Sequence, residues 1–181
     1  LGLIGTALAR RLLAAGFAVV GYDVEAKRGA VLRELGGSTA GSVAELAGAC
    51  SRIVVAVFNT DQLEDAVLGK DGVLDGMAAS PGARILMNVT TSDPDRVAAL
   101  AARVASRNLA LLEVPLSGTS EQVAQGDGVG LIGGERAAFE ESADAHIDEN
   151  EADAEQTAAH DVHAAQPGQE KIDIAVAVLR E

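Results

Sequence analysis

Apolar segments rich in β-branched residues alternate with helix-like segments along residues 1–134, and this alternation limits the possible folds more than any other feature. The run Ile53-Val54-Val55-Ala56-Val57 is typical of a strand buried on both faces, as in a parallel sheet. Such runs alternating with helices predict an α/β fold with a doubly wound, mostly parallel sheet. The predicted strands cover residues 18–22, 52–57, 84–89, 109–114 and 129–132. The predicted helices lie near residues 6–15, 25–34, 43–49, 61–67 and 94–106.

Residues with known preferences for helix ends support these boundaries. Ser42 and Glu45 have the spacing of a capping box. The dipeptide Asp93-Pro94 offers an N-cap followed by a residue suited to the first helical position. Gly16 and the glycine pair at 36–37 stand where helices are expected to end.

The first five residues, Leu1-Gly2-Leu3-Ile4-Gly5, have the pattern of the rear part of a dinucleotide-binding turn. Gly2 and Gly5 match the second and third glycines of the G-x-G-x-x-G fingerprint of Rossmann-type sheets. Gly2 would let the backbone approach a pyrophosphate, and the N–H groups at the start of the next helix would receive phosphate oxygens. We therefore expect Gly2, Leu3, Ile4 and Gly5 to contact a dinucleotide. The first glycine and its strand would precede Leu1, so we expect the first strand to be missing and the sequence to be a fragment.

Asp23 is the expected partner of the cofactor's ribose. It follows Gly5 by 18 residues, close to the spacing of a carboxylate that accepts from a ribose 2′-hydroxyl. The same carboxylate would repel a 2′-phosphate, which favours NAD as the cofactor. Lys27 and Arg28 lie one turn further on and would partly offset that repulsion, so NADP stays open. The alternative is that the glycines form an ordinary turn and Asp23 caps the next helix.

Composition excludes several classes of function. The net charge is −13, and acids outnumber Lys and Arg both before and after residue 134, so no basic face is available for nucleic acid. The single Cys50 rules out a disulfide framework and fits a reducing compartment, so we expect a cytoplasmic protein in which Cys50 is a small packing residue. No window contains the roughly 18 apolar residues of a membrane span, so no membrane partner is expected.

The sequence changes character after residue 134. Residues 137–170 contain ten acids, no Lys or Arg, and all three histidines of the chain. Because large apolar residues are rare there, we predict an acidic, weakly structured C-terminal segment and no metal site. Residues 172–179 are apolar enough to dock as a strand or a short helix. The predicted organisation is a dinucleotide-binding domain over residues 1–134 and an acidic segment over residues 135–181.

Four motifs, in the right order and spacing, resemble those of one enzyme family. They are G-L-I-G at residues 2–5, N-V-T-T-S-D-P at 88–94, E-V-P-L-S-G at 113–118, and Gly126 followed by L-I-G-G at 131–134. Together they are similar to the NAD(P)-binding domain of the β-hydroxyacid dehydrogenases, which include 3-hydroxyisobutyrate, tartronate-semialdehyde and 6-phosphogluconate dehydrogenases. Asn88 departs from the pattern, because the family usually has Asp at that position.

The resemblance implies hydride exchange between a nicotinamide cofactor and a small 3-hydroxy acid. It places Ser117 and Gly118 on the substrate carboxylate, and Thr91 beside the nicotinamide ribose or the substrate. It places Phe58 and Asn59 against the cofactor. The alternatives are that Ser117 is a simple turn residue and that Thr91 is a cap or a strand-end residue.

The family pattern fails at the C-terminal end. The family's general acid/base is a Lys in a helix that follows the first domain, and Lys171 is the only candidate here, without the expected asparagines after it. The long helical domain that completes the site and the homo-oligomer is also absent from the sequence. A catalytically weak chain is therefore expected, with a non-catalytic dinucleotide-binding module and an imine-reductase-like enzyme as alternatives.

Overall fold

The computed structural model describes residues 1–77, 84–144 and 173–178. The described residues form eight helices and eight strands. The helices are α1 Leu3–Ala14, α2 Ala26–Glu34, α3 Val43–Ala49, α4 Thr60–Leu68, α5 Val73–Met77, α6 Pro94–Ala105, α7 Ser120–Gln125 and α8 Arg136–Asp144. The strands are β1 Ala18–Asp23, β2 Ser38–Thr39, β3 Arg52–Val55, β4 Arg84–Asn88, β5 Leu109–Glu113, β6 Leu116–Ser117, β7 Val129–Gly130 and β8 Asp173–Val178.

Six strands form one parallel sheet in the order β2-β1-β8-β3-β4-β5. The strands on either side of the centre are joined through helices, which confirms the predicted doubly wound α/β fold. Strand β8, from the C-terminal end of the chain, fills the central position. The first strand of a Rossmann-type sheet has that position, so the place of the strand expected to be missing is occupied. Residues 172–179, predicted to dock as a strand or a helix, contain this strand.

The local sequence explains where the helices begin. The Ser42 hydroxyl accepts a hydrogen bond from the Glu45 N–H at 3.0 Å, as predicted, but the Glu45 carboxylate accepts from Gly41 N–H, one residue before the expected partner. A complete capping box stands instead at the start of α7, between Thr119 and Gln122. Asp93 caps α6, with proline at the first helical position.

The core lies on both faces of the main sheet, as the apolar strand pattern predicts. One cluster packs α3, α4, α5 and α6 against the sheet, and fully buried Ile53 and Val55 lie within it. On the other face, α1 and α2 pack through Ala9 and Leu32 onto Val19 and Val54. Cys50 is buried in the first cluster, which confirms its predicted role in packing. The longest described helices have 12 residues, and no described helix is long and apolar enough to cross a membrane.

Two segments differ from the sequence prediction. Residues 129–132 form only the short strand β7, which pairs antiparallel with β6 outside the main sheet. The first part of the acidic segment predicted over residues 135–181 is the helix α8, in which Ala138 packs against Ile85 and Leu112 of the sheet. Arg52 also donates from Nη2 to the Glu141 carbonyl oxygen at 3.1 Å. Residues 145–172, with most of the acidic segment, lie outside the described residues.

Candidate functional site

The carboxyl ends of the parallel strands meet at one edge of the sheet, and most of the predicted site residues follow those ends. Asp23 is the last residue of β1, and the loop after β3 carries Phe58 and Asn59. Thr91 follows β4, and Ser117 follows β5 in the short strand β6. Helix α1 begins at the same edge, since the Leu1 nitrogen lies 2.6 Å from Asp23 Oδ2. Ligands of doubly wound sheets bind at this edge.

Helix α1 begins earlier than expected and without a capping side chain. Its N-cap is Gly2, and its first internal hydrogen bond runs from the Thr6 N–H to the Gly2 carbonyl oxygen at 2.9 Å. The N–H groups of the first turn therefore lack partners within the helix. The first turn contains no acidic residue, whereas side chains cap four other helices at Ser42, Asn59, Asp93 and Thr119. The positive end of the α1 dipole is thus not neutralised by an acidic side chain of its own first turn.

Asp23 is enclosed and already hydrogen-bonded. Its side chain has 0% exposure; Oδ2 accepts from the Leu1 nitrogen, and Oδ1 accepts from the Glu25 N–H at 2.9 Å. Arg28 Nη1 lies 3.9 Å from Oδ2. The bond to Glu25 orders the backbone at the entry to α2, whose N-cap is Glu25 without a side-chain cap, so Asp23 has a helix-entry role but does not cap the helix as the alternative interpretation expected.

Glu25 adds a second carboxylate beside Asp23. Lys27 Nζ lies 3.0 Å from Glu25 Oε2, and Arg28 Nη2 donates to Oε1 at 3.1 Å. The hydrogen bond from Lys27, and to a smaller extent the one from Arg28, holds the pKa of Glu25 below its usual value. The two cations that were expected to offset the charge of Asp23 are both paired with Glu25, and Arg28 also lies within ion-pair distance of Asp23.

A buried threonine fastens the two central loops of the site to each other. The Thr90 hydroxyl accepts from the Val57 N–H and donates to the Val57 carbonyl oxygen, each at 2.9 Å. Asn88, at the end of β4, accepts from the Thr90 N–H and donates to the Thr90 carbonyl oxygen. The amide of Asn88 also donates to Ser92 Oγ at 3.1 Å. Asn88 thus uses a donor that the family's usual Asp would lack.

Two further sets of contacts join the helices α4 and α6, which follow these loops. Thr60 Oγ1 accepts from the Asp93 N–H at 2.9 Å, which joins the start of α4 to the start of α6. Arg96 donates to both carboxylate oxygens of Glu64, at 3.1 and 2.7 Å, and lies 2.7 Å from Asp61 Oδ1. The hydrogen bonds from Arg96 lower the pKa of Glu64, while Glu64 and Asp61 raise that of Arg96. These contacts hold the two loops as one unit.

The predicted cofactor residues of the central loops present different groups to solvent. Phe58 is 80% exposed, so a large apolar ring stands free at the edge of the sheet. Asn59 is the N-cap of α4, and its side-chain oxygen accepts a hydrogen bond from the Gln62 N–H at 2.9 Å. Thr91 is exposed, next to the buried Thr90. Of these side chains, Phe58 and Thr91 are the better placed to contact a ligand.

The predicted substrate loop is held by β6, β7 and the capping box of α7. Ser117 pairs with Val129 across the two strands and is exposed. Gly118 has φ +127°, a conformation that side chains rarely adopt, and Thr119 then begins the capping box. The backbone around Ser117 is therefore fixed while its side chain faces solvent.

Two predictions fall on parts of the chain that the structure does not cover. Lys171, the candidate acid/base, lies outside the described residues, and so do His146, His160 and His163. Among residues 1–77, 84–144 and 173–178, no group of three or more metal-ligating side chains occurs.

Sequence reasoning missed Thr90 and gave Asn88 no role of its own. Thr90 stands at the end of a predicted strand next to a second threonine, and nothing in the sequence indicates which of the two turns inward. Asn88 was noted only as a departure from a motif. Asn88 is a single polar residue that follows a run of apolar strand residues, and this pattern could have indicated that its side-chain amide is buried.

Replacing Thr90 with valine is expected to lower the free energy of unfolding by about 1–3 kcal/mol, because both backbone groups of Val57 lose their partner. The matched variant Thr91→Val changes an exposed neighbour and should stay within about 0.5 kcal/mol of the parent. Urea unfolding followed by circular dichroism measures both. Equal effects of the two substitutions would refute the bracing role of Thr90.

Comparison with known proteins identifies the family. The family described as the NAD-binding domain of 6-phosphogluconate dehydrogenase matches residues 1–173. The chain belongs to this family. The L-threonate dehydrogenase of Cupriavidus necator is 30% identical over 139 residues, covering 77% of this chain and 46% of that protein. The cytokine-like nuclear factor N-PAC of Xenopus tropicalis is 30% identical over 141 residues, covering 78% of this chain and 26% of that protein.

A solved relative agrees with this assignment. The crystal structure of 3-hydroxyisobutyrate dehydrogenase from Salmonella typhimurium matches with a TM-score of 0.69 and 28% identity, over 77% of this chain and 47% of that one. The dehydrogenase resemblance is thus confirmed for the family and the fold. The chain spans about half the length of the dehydrogenases it matches, and about a quarter of N-PAC.

Proposed function

We propose that the carboxyl edge of the sheet binds NAD, with the pyrophosphate at the start of α1. The observation that carries this proposal is the uncapped first turn of α1 beside Asp23, in a chain of the NAD-binding family. Gly2, Leu3, Ile4 and Gly5 would surround the phosphates, whose charge the helix dipole stabilises. Phe58 and Asn59 would flank the cofactor. When bound, NAD supplies the hydride acceptor.

The position of Asp23 supports NAD over NADP. A ribose 2′-hydroxyl would donate to Asp23 Oδ2, sharing that oxygen with the Leu1 nitrogen or replacing it. A 2′-phosphate would instead meet the Asp23 carboxylate directly. Lys27 and Arg28 balance the charges of Asp23 and Glu25, so the preference for NAD rests on this direct contact and not on the net charge of the corner.

Changing Asp23 to asparagine is expected to weaken NAD binding about tenfold and to shift preference toward NADP. Asparagine keeps an acceptor for the Glu25 N–H but loses the charge-assisted hydrogen bond to ribose, which is worth about 1.5–3 kcal/mol. Glu25→Gln removes the same charge from a more exposed position and should change preference less. Competition titrations with NADH and NADPH measure the ratio. An unchanged ratio in Asp23→Asn would leave only the helix-entry role.

We further propose a small 3-hydroxy acid as the substrate, as in the dehydrogenase relatives. Ser117 and the N–H of Gly118 would hydrogen-bond its carboxylate, and Thr91 would lie beside the nicotinamide ribose or the substrate. The exposed hydroxyl of Ser117 on a fixed backbone supports this role. The protein's contribution is to orient the carbinol carbon toward the nicotinamide.

The proposed reaction needs a group that accepts the proton of the substrate hydroxyl. Lys171 is the only candidate for the group that accepts the hydroxyl proton, and without such a group the rate falls by a factor of roughly 10²–10⁴. We expect slow or no NAD reduction with 3-hydroxyisobutyrate, glycerate, threonate and 6-phosphogluconate. Robust turnover that disappears in Lys171→Ala would contradict this expectation and make Lys171 the acid/base.

The second candidate is a dinucleotide-binding module without hydride transfer. The match with N-PAC favours it, since that relative is named as a nuclear factor and not as an enzyme. Both candidates predict NADH binding, so the substrate assay separates them. Weakened NADH binding in Ser117→Ala would also count against the assignment of Ser117 to the substrate.

For the compartment, we propose the cytoplasm. The single buried Cys50 gives the chain no means of forming an internal disulfide, which suits a reducing environment.

A further inference from the structure

The proposed substrate loop belongs to residues 116–130, which we call the substrate segment. This segment runs from β6 through α7 to β7 and contains Ser117 and Gly118. Its two strands form a two-stranded sheet of their own, with only two residues paired in each. Val123 is its one buried residue. The position of Ser117 therefore depends on a small number of contacts between the substrate segment and the rest of the protein.

Backbone hydrogen bonds and a helix contact join the substrate segment to the protein. At the base of the segment, the Leu131 N–H donates to the Pro115 carbonyl oxygen at 3.1 Å. Next to this bond, Glu113 and Gly133 exchange two backbone hydrogen bonds of 2.8 Å. Away from the base, helix α7 packs against helix α1. The base fixes where the segment begins, and the contact with α1 fixes how the segment lies relative to that helix.

The contact between α1 and α7 includes the guanidinium group of Arg11. A Cβ added at Gly126, the C-cap of α7, would lie 2.8 Å from Arg11 Nη2 and 2.9 Å from both Cζ and Nη1. Since the three distances are nearly equal, the flat guanidinium as a whole packs against the backbone of Gly126. Gly126 also has φ +94°, a conformation that favours glycine. Both observations give a physical reason for the glycine in the fourth sequence motif.

The location of Arg11 favours this contact electrostatically. Arg11 lies in the last turn of α1 and Gly126 ends α7, so the guanidinium stands at the C-terminal ends of two helices. The carbonyl groups at such ends attract cations. Arg11 is half-buried, and the ion pairs among the described residues do not involve it. No described carboxylate therefore draws the guanidinium away from α7.

We propose that Arg11 is a positioning residue for the substrate, because it holds α7 on α1 and so sets the distance between Ser117 and the cofactor. The proposal rests on the proposed function, in which the start of α1 binds the phosphates and Ser117 binds the substrate carboxylate. Helix α1 is common to both, since its first turn faces the phosphates and its last turn contains Arg11. A hydrogen bond from the Ser117 hydroxyl needs an oxygen–oxygen distance of about 2.5–3.0 Å, so a loosened α7 weakens the substrate contact and leaves the phosphate site unchanged.

Ligand titrations of Arg11→Met and Arg11→Lys in the full chain test the proposal. Methionine keeps an apolar stem without the charge, whereas lysine keeps a positive charge without the planar group. The affinity of the NADH complex for 3-hydroxyisobutyrate, followed by nuclear magnetic resonance, is expected to fall about fivefold in Arg11→Met, the size of effect that a cation at a helix C-terminus can have. Arg11→Lys should recover part of this loss. The NADH affinity itself should stay within about twofold of the parent in both variants.

Arg10→Met is the matched control for the methionine variant. Arg10 is the neighbouring residue of α1 and is exposed, so its replacement removes the same charge without touching α7. Hydrogen exchange in the absence of ligand shows whether α7 has loosened. The amides of Ser120–Gln125 are expected to exchange about fivefold faster in Arg11→Met and at the parent rate in Arg10→Met.

Gly126→Ala tests the same contact from the side of α7, because its methyl group would displace the guanidinium. Gly36→Ala is the control for backbone strain, since Gly36 has φ +97° and a Cβ there would have no atom within 4 Å. The loss of 3-hydroxyisobutyrate affinity is expected in Gly126→Ala and not in Gly36→Ala. In the Arg11→Met background, Gly126→Ala should add little further loss, because the two substitutions remove one contact.

The outcomes separate this proposal from the proposed function. A parent protein that binds NADH but not 3-hydroxyisobutyrate would refute the proposed substrate, and the role of Arg11 with it. A parent that binds both, with an unaltered acid affinity in Arg11→Met, would refute the role of Arg11 and leave the proposed function intact. Faster exchange of α7 with an unaltered acid affinity would restrict Arg11 to stability and overturn the proposal. Should Gly126→Ala fail to fold, the Arg11 and Arg10 variants decide by themselves.

Discussion

Leu3→Glu is expected to reduce NADH affinity on the order of a hundredfold while leaving the fold at least as stable. Leu3 is the first residue of α1 and is 76% exposed, so a carboxylate can stand there without repacking the core. That carboxylate is favourable for the helix dipole by about 0.3–1 kcal/mol. It would repel a phosphate about 4 Å away by roughly 4 kcal/mol at an effective dielectric constant near 20, before screening by salt.

The neutral variant Leu3→Gln is the matched control, since it has the same shape without the charge. It should bind NADH within a few-fold of the parent. Fluorescence titration gives the affinities, and thermal unfolding gives the stabilities. Equal affinities of the Glu and Gln variants would place the phosphates somewhere other than the start of α1.

Gly76→Ala is expected to lower the free energy of unfolding by at least about 1–3 kcal/mol. This is the largest effect that we expect from the addition of a single methyl group. A Cβ at Gly76 in α5 would clash with the Ala44 carbonyl oxygen of α3, a backbone atom that cannot rotate away. The two helices would have to separate inside the main core cluster.

Gly48→Ala is the matched control and is expected to raise the free energy of unfolding. Its Cβ would lie 3.6 Å from the Gly76 carbonyl oxygen, an ordinary contact, and alanine is the better helix former in α3 by about 0.5–1 kcal/mol. Urea denaturation of both variants measures the difference. A neutral Gly76→Ala protein would show that α3 and α5 do not approach each other this closely.

The arrangement of strands and helices could be predicted because the apolar pattern depends on local residues. The strand predicted at 18–22 and the helix predicted at 43–49 lie within one residue of the observed β1 and α3. The two-residue strand β2 and the five-residue helix α5 were missed, because both are shorter than the window of residues over which a periodic pattern is recognised. The position of β8 depends on a gap in the sheet, which no local pattern reveals.

The candidate site was predictable in its location and less so in its contacts. Asp23 stands at the end of β1 as expected, but the sequence does not show that both its oxygens are hydrogen-bonded within the protein. Asn59 was assigned to the cofactor, whereas its oxygen caps α4. Thr90 and Thr91 differ in burial only because the chain turns between β4 and α6. Such differences arise from tertiary contacts, which adjacent residues in a sequence do not encode.

Direct titration of the full chain with NADH tests the central claim, that the edge around α1 and Asp23 binds a nicotinamide dinucleotide. The chain has no Trp, so nicotinamide fluorescence can be followed without energy transfer from indole. We predict saturable binding with a dissociation constant of about 1 μM to 1 mM, in the range of ordinary cofactor and substrate affinities. We also predict that this binding is lost in Leu3→Glu and kept in Leu3→Gln. A folded protein that shows no saturable NADH binding in the millimolar range would contradict the account.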